Sequence, residues 1–145
     1  MANSSIWIAD SDAQIANCFP AMLELRPHLA AETFVRLVRA MQREGYVLAA
    51  LEADGEVRAV AGFRINVLLA RGKNLYVDDL VTAEASRSRD YGHTLLQWLI
   101  QYARDKDCDS FDLDSGVQRF RAHRFYFREG MHVGAYHFTL SLRDT

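Results

Sequence analysis

Two rhythms of apolar residues share the chain, one of period two and one near 3.6, and their alternation predicts its elements. Ile6–Ala9 reads as a short first strand. Asp10 or Ser11 then presents a short oxygen-bearing side chain to free amides, so a helix is expected over 12–25, limited by Pro27. Phe34, Leu37, Val38 and Met41 recur at i, i+3, i+4 and i+7 and predict a second helix over 30–43, which Gly45 can end. Tyr46–Glu52 is a strand. Asp54-Gly55 is a two-residue turn that needs positive φ, so it predicts a hairpin with a return strand through Val57–Asn66. A further turn around Arg71-Gly72 leads into a strand over Leu75–Thr82, completing an antiparallel meander.

The rhythm then changes. From Gly92, the residues Leu95, Leu96, Leu99, Ile100 and Ala103 follow a helical period. Phe111 and Leu113 alternate with Asp112 and Asp114, as on a half-exposed strand. Gln118–Glu129 reads as a helix closed by Gly130. Val133–Leu142 reads as a last strand, with Tyr136, Phe138, Leu140 and Leu142 on one face. The expected order is β-α-α-β-β-β-α-β-α-β, an α/β chain with a mixed sheet and helices on its faces.

Composition narrows the class. At 145 residues, half of them hydrophobic, the chain is expected to form a single domain over 1–145. One quarter is charged and the formal net charge is −2, without the basic bias of a nucleic-acid binder. Cys18 and Cys108 have no metal-ligand spacing, which argues against a metal site or a disulfide framework and fits a reducing cytoplasm. The N-terminus lacks the basic start and apolar run of a signal peptide. No stretch approaches the roughly 18 apolar residues of a membrane span.

The chemistry concentrates in LYVDDLVTAEASRSRDYGHTLL, Leu75 to Leu96. A strand ends there, a short loop follows and a helix opens at Gly92. An opening helix exposes free amides and a positive dipole end, which suit an anion such as pyrophosphate. Arg87 and Arg89 add charge. These features fit a phosphate-binding turn and a plain β-α connection equally well. A dinucleotide fold is disfavoured, because no glycine-rich turn follows the first strand.

The segment resembles the cofactor motif R/Q-x-x-G-x-G/A of the GNAT superfamily of N-acetyltransferases, with Arg87 and Gly92 in place. Leu80 and Thr82 fall at that family's strand end, and Leu95-Leu96 at its helix start. AHRFYFREGM, Ala122 to Met131, resembles the family's A-x-x-x-Y-x-x-x-G-F, with Met131 replacing the final Phe. There are two further departures: Asp90 stands where the family has its first glycine, and Arg119 where it often has Asn. YVDDLVT also resembles a strand of spermidine/spermine-type acetyltransferases.

The resemblance implies a mostly antiparallel sheet with splayed middle strands, holding acetyl-CoA between residues 79–82 and 111–114, with no metal. Leu80, Val81 and Thr82 would line the pantetheine arm. Arg87, Ser88, Arg89, Asp90, Tyr91, Gly92, His93 and Thr94 would surround the pyrophosphate, and Arg119 and Ala122 would contact the cofactor. It also implies acetyl transfer to the primary amine of a small molecule by direct attack. An alkylammonium with a pKa near 10.4 must first lose a proton, and the departing thiolate gains from a donor. Tyr126 matches the family's tyrosine and is the expected donor. Asp78 and Asp79 are the candidate bases; adjacent strand residues face opposite ways unless a bulge intervenes, so one is expected to face the site. Acceptor choice is expected to fall to the 26–31 loop and the strand after Asp54-Gly55; Tyr46, Asp78 and Glu52 would separately make a mildly acidic, aromatic surface if they converge. His123 is a weaker catalytic candidate. A non-catalytic acyl-CoA-binding domain and a protein-lysine acetyltransferase are the competing readings. A homodimer through exposed sheet edges is a further expectation.

Overall fold

Five of the period-two stretches build one sheet, and the helices within residues 1–113 cover both its faces. In a computed structural model, which describes residues 4–143, the elements are β1 (Ser4–Ile8), α1 (Asp12–Asn17), α2 (Phe19–Leu25), α3 (Ala31–Gln42), β2 (Val47–Ala53), β3 (Glu56–Leu68), β4 (Gly72–Thr82), α4 (Tyr91–Asp105), β5 (Ser110–Leu113) and α5 (Phe120–Arg128). A 3-10 turn over Glu84–Arg89 joins β4 to α4 where sequence predicted a plain loop. Strand order is β1-β2-β3-β4-β5. The first three pairings are antiparallel, and β5 joins β4 in parallel after the α4 crossover. Asp54 and Gly55 both take positive φ, 55° and 76°, as the hairpin required.

Residues 1–113 form one compact unit and 114–145 a second. The first buries both faces of its sheet. On one face Ile15, Met22, Phe34 and Val38 of the first three helices meet Leu48, Ala50, Val60 and Val81. On the other, Leu95, Leu99 and Ala103 of α4 meet Leu51, Ala61, Phe63, Leu75 and Val77. The alternation along β2 and β3 thus sends successive residues into different cores. Trp98 and Tyr102 pack their rings against Phe63, as packing residues do. The second unit carries α5, none of whose residues is fully buried.

Two expectations are corrected. The helix expected over 12–25 is two helices broken at Cys18, because Pro20 lies in the first turn of α2 and lacks the amide that would continue the α1 ladder. Ser11 makes the cap: it accepts from the Gln14 amide while the Gln14 side chain accepts from the Ser11 amide. The strand expected over Val133–Leu142 does not form within the second unit taken by itself: residues 131–142 pair with no other segment of that unit among the described residues.

Cys18 is fully buried, and desolvation pushes its thiol up from 9.0 to about 12. The unfolded thiol ionises first, so this contribution to stability is intact below pH 9 and is lost as pH rises towards 12. Cys18→Ala is therefore expected to flatten the decline in unfolding free energy over that window by up to about 1.4 kcal/mol per pH unit, read from denaturant titrations.

Candidate active site

β4 pairs with β3 over nearly its whole length but with β5 only from Asn74 to Val77, opposite Ser110 to Leu113. Beyond Val77 no strand of the first unit pairs with β4 on that side among the described residues, which leaves the backbone from Asp78 to Thr82 suited to pairing with an extended ligand. On β4 the free stretch starts at Asp78, one residue before the sequence implied, whereas on β5 Phe111, Asp112 and Leu113 are still paired. Buried Asn74 ties the paired stretch, donating to Ser110 Oγ at 2.8 Å and Asp112 Oδ2 at 2.6 Å.

A bulge marks the same point. Gly62 opposes Asp79 and Phe63 opposes Val77, leaving Asp78 as the extra residue. Instead of facing opposite ways, the two carboxylates enter one cluster. Asp79 accepts from the Tyr46 hydroxyl at 2.8 Å and from Arg26 Nε at 2.9 Å. Asp78 accepts from Arg64 Nε at 2.9 Å, and its backbone oxygen accepts from Arg26 Nη2 at 2.9 Å. The Arg64 guanidinium lies 5.4 Å from the centre of the Tyr46 ring. Burial, with the charge and hydrogen bond of Asp79, pushes the Tyr46 phenol well above 10, so it remains a donor. Tyr46 and Asp78 converge as anticipated, but Glu52 does not join them; it accepts from Trp7 Nε1 at 3.2 Å. Arg26 was singled out in the sequence only as the start of the 26–31 loop, and Arg64 not at all. They stand 53 and 14 residues from the aspartates they bind, and no local pattern joins them.

At the other end of the open edge, Leu80 packs against the α4-side core and Val81 is buried on the opposite face. Arg87 Nε donates to the Thr82 carbonyl at 3.3 Å, and Arg87 and Arg89 are exposed. Ser88 lies within the 3-10 turn. Asp90 adopts the left-handed conformation, φ 60°, and α4 begins at Tyr91, one residue before expected. That conformation explains why glycine fits this position. Asp90 makes no side-chain cap; its carbonyl takes the Thr94 amide and hydroxyl, each at 3.1 Å. Tyr91 is buried, Gly92 half-buried, and His93 and Thr94 exposed. The start of α4 thus has the free amides and positive dipole end that suit pyrophosphate, with an exposed carboxylate beside them. Asp90→Gly is expected to relieve the left-handed strain, remove that charge and tighten CoA binding about two- to five-fold by calorimetry. Weaker binding would assign Asp90 a favourable contact.

In the second unit, Arg119 is the residue before α5, Ala122 is half-buried and Tyr126 follows one turn later. Burial raises the Tyr126 phenol above 10, while the charge of Arg119 and its hydrogen bond to the phenol act against that shift. The phenol is therefore protonated at neutral pH. His123 Nε2 lies 2.8 Å from the Gly116 carbonyl, so its ring is occupied locally. Arg121, Arg124 and Arg128 are exposed. Among the described residues no group could hold a metal, and no helix is long and apolar enough to cross a membrane.

A mixed sheet forked between β4 and β5, leading into an uncapped helix start, is the architecture of an acyl-CoA-dependent N-acyltransferase. The chain belongs to the acetyltransferase (GNAT) family, whose model matches residues 14–131, and it is an N-acetyltransferase. It is 39% identical over 117 residues to an uncharacterized N-acetyltransferase, YhdJ, of Bacillus subtilis, covering 80% of this chain and 82% of that one. It is 33% identical over 66 residues to the aminoalkylphosphonate N-acetyltransferase of Salmonella typhimurium, covering 46% of this chain and 43% of that one. The structure of the aminoglycoside N-acetyltransferase AAC(6')-Iy with CoA shares the fold at a TM-score of 0.85 and 11% identity, covering 99% of this chain and 97% of that one.

Proposed function

We propose that this protein moves an acetyl group from acetyl-CoA to the primary amine of a small molecule by direct attack in a ternary complex, residues 1–145 working as one cytoplasmic acetyltransferase domain. The observation that carries the reading is the open β4 edge from Asp78 to Thr82, running from a carboxylate cluster to the free amides that open α4. The pantetheine arm would pair with the backbone of Leu80, Val81 and Thr82. The pyrophosphate would take the amides of residues 89–93, with Arg87 and Arg89 offsetting its charge. Arg119 and Ala122, which stand at positions of the family's motif, would add cofactor contacts.

The amine loses its proton, its lone pair forms the C–N bond at the thioester carbonyl, and the C–S bond breaks. Tyr126 gives its phenolic proton to the departing thiolate, and the Arg119 hydrogen bond stabilises the phenolate left behind. Of the two carboxylates, Asp78 is better suited to receive the ammonium and to take its proton through water. Asp79 spends both oxygens on Arg26 and Tyr46, whereas Asp78 gives Arg64 only Oδ2. Asp79 acts by positioning Tyr46 and Arg26. The mixed charge of the cluster suits an acceptor carrying an anionic group as well as its amine, as an aminoalkylphosphonate does.

Labelled acetyl-CoA incubated with a polyamine, an aminoglycoside and an aminoalkylphosphonate tests the reading. Transfer to at least one amine is expected, with the aminoalkylphosphonate favoured. CoA binding without transfer to any amine would point to a non-catalytic acyl-CoA-binding domain. Labelling confined to protein lysines would point to a protein-lysine acetyltransferase.

A further inference from the structure

The end of α2 is tied to both ends of the free β4 stretch. Arg26, the residue after the helix, donates to Asp79 Oδ1 and to the Asp78 carbonyl, which fastens α2 to the carboxylate cluster. Glu24, two residues earlier, reaches beyond the end of β4: its Oε1 accepts from the Glu84 amide at 2.8 Å. No local pattern joins these two residues, which stand 60 apart.

Glu84 opens the 3-10 turn that carries the chain from β4 to α4. The first amides of such a turn have no partner within it and lie at its positive end, so a carboxylate suits them. Ala83, the residue before the turn, has no side chain that could cap it. Glu24 supplies the missing acceptor from a different helix. Two ties from β3 hold the same turn. The Arg58 carbonyl accepts from the Ala83 amide at 2.8 Å, and Arg58 Nη1 donates to Ser86 Oγ at 3.5 Å, where Ser86 is buried. The turn runs directly into Asp90 and the opening of α4. Where it sits therefore sets where the α4 amides point.

We infer that Glu24 is a positioning residue for CoA: it clamps the turn that aims the α4 amides, and through α2 it fixes their distance from the cluster held by Arg26. This role rests on the reading that those amides receive the pyrophosphate. A direct part in holding the cofactor is ruled out by charge, since a carboxylate repels pyrophosphate. Any favourable effect of Glu24 on binding must pass through the amide it holds. The hydrogen bond and the charge thus act in opposite directions, and substitutions can separate them.

Calorimetry of the full chain with CoA, and with pantetheine, which lacks the pyrophosphate and the nucleotide, tests this role. Glu24→Ala should weaken CoA binding about three- to ten-fold, the range of one lost hydrogen bond, and leave pantetheine binding nearly unchanged. Glu24→Asp keeps the charge but shortens the reach, and should weaken CoA binding in the same way. Glu24→Gln loses the charge but keeps an acceptor oxygen, and should bind CoA nearly as the unaltered protein does. Glu24 is exposed, so the variants are expected to fold, which thermal melting checks; Glu24→Asp decides if Glu24→Ala does not fold. Unchanged CoA affinity in folded Glu24→Ala and Glu24→Asp would overturn the proposal and leave the pyrophosphate reading standing. Tighter binding in both Glu24→Ala and Glu24→Gln would overturn it by showing that the carboxylate acts through its charge alone. Equal losses for CoA and pantetheine would reduce Glu24 to a general structural part and overturn it as well. An unaltered protein that binds CoA no better than pantetheine would sink the pyrophosphate reading itself, and this role with it.

Discussion

Tyr126→Phe is expected to lower turnover by about 10- to 1000-fold while leaving the dissociation constant for CoA nearly unchanged. The substitution keeps the ring and removes only the hydroxyl, so packing around α5 is preserved. The removed group is a phenol that burial holds above its ordinary value of 10 and to which Arg119 donates a hydrogen bond. Both features suit a donor at neutral pH: the raised phenol is fully protonated, and the guanidinium steadies the oxygen once the proton has left. A hundred-fold loss corresponds to about 2.7 kcal/mol of transition-state stabilisation. Single-turnover kinetics and calorimetry separate the two quantities. Because the phenol is raised, the alkaline limb that its ionisation imposes should lie above pH 10 in the unaltered enzyme and vanish in the variant. An unchanged rate would remove Tyr126 from the mechanism and leave water as the donor.

Gly62→Ala is the second large effect. A methyl group at residue 62 would lie 1.7 Å from the Tyr46 hydroxyl oxygen and 2.3 Å from the ring carbon that carries it. The ring cannot swing aside cheaply. It is buried, its hydroxyl is tied to Asp79, and the Arg64 guanidinium covers it. Overpacking costs about 1–3 kcal/mol, and a lost hydrogen bond to a charged group about 1.5–3 kcal/mol. A total of about 3 kcal/mol is expected, or roughly 6–12 °C in melting temperature for a chain of this size. Tyr46→Ala removes the obstructing ring, so adding Gly62→Ala to that background should cost little more. That non-additivity identifies the clash as the cause. Equal costs in both backgrounds would place the strain elsewhere.

Local chemistry was legible along the chain. Asp54-Gly55 specified its hairpin, Gly45 followed α3 with φ 100°, and the run from Leu75 to Leu96 announced a strand, a turn and a helix opening beside arginines. The break at Cys18 was also written locally, in Pro20, but a continuous helix could be drawn through it because apolar residues persist on both sides. Asp90 read as a departure from a glycine position; its left-handed φ of 60° gives the reason for that position.

The sequence by itself therefore determined most of the elements of residues 1–113, their mixed order and the helix opening to within one residue, because periodicity, caps and turns act over a few residues. Only the tertiary structure decided that the bulge at Asp78 turns both carboxylates into one cluster. It also decided that Arg26 and Arg64 hold them and that Gly62 yields its space to Tyr46. Each of these depends on what distant segments bring alongside: a register shift between strands, an ion pair across 53 residues, a ring packed over a glycine. Alternation specifies which face of a strand is apolar, and the assembled molecule supplies the surface that face meets.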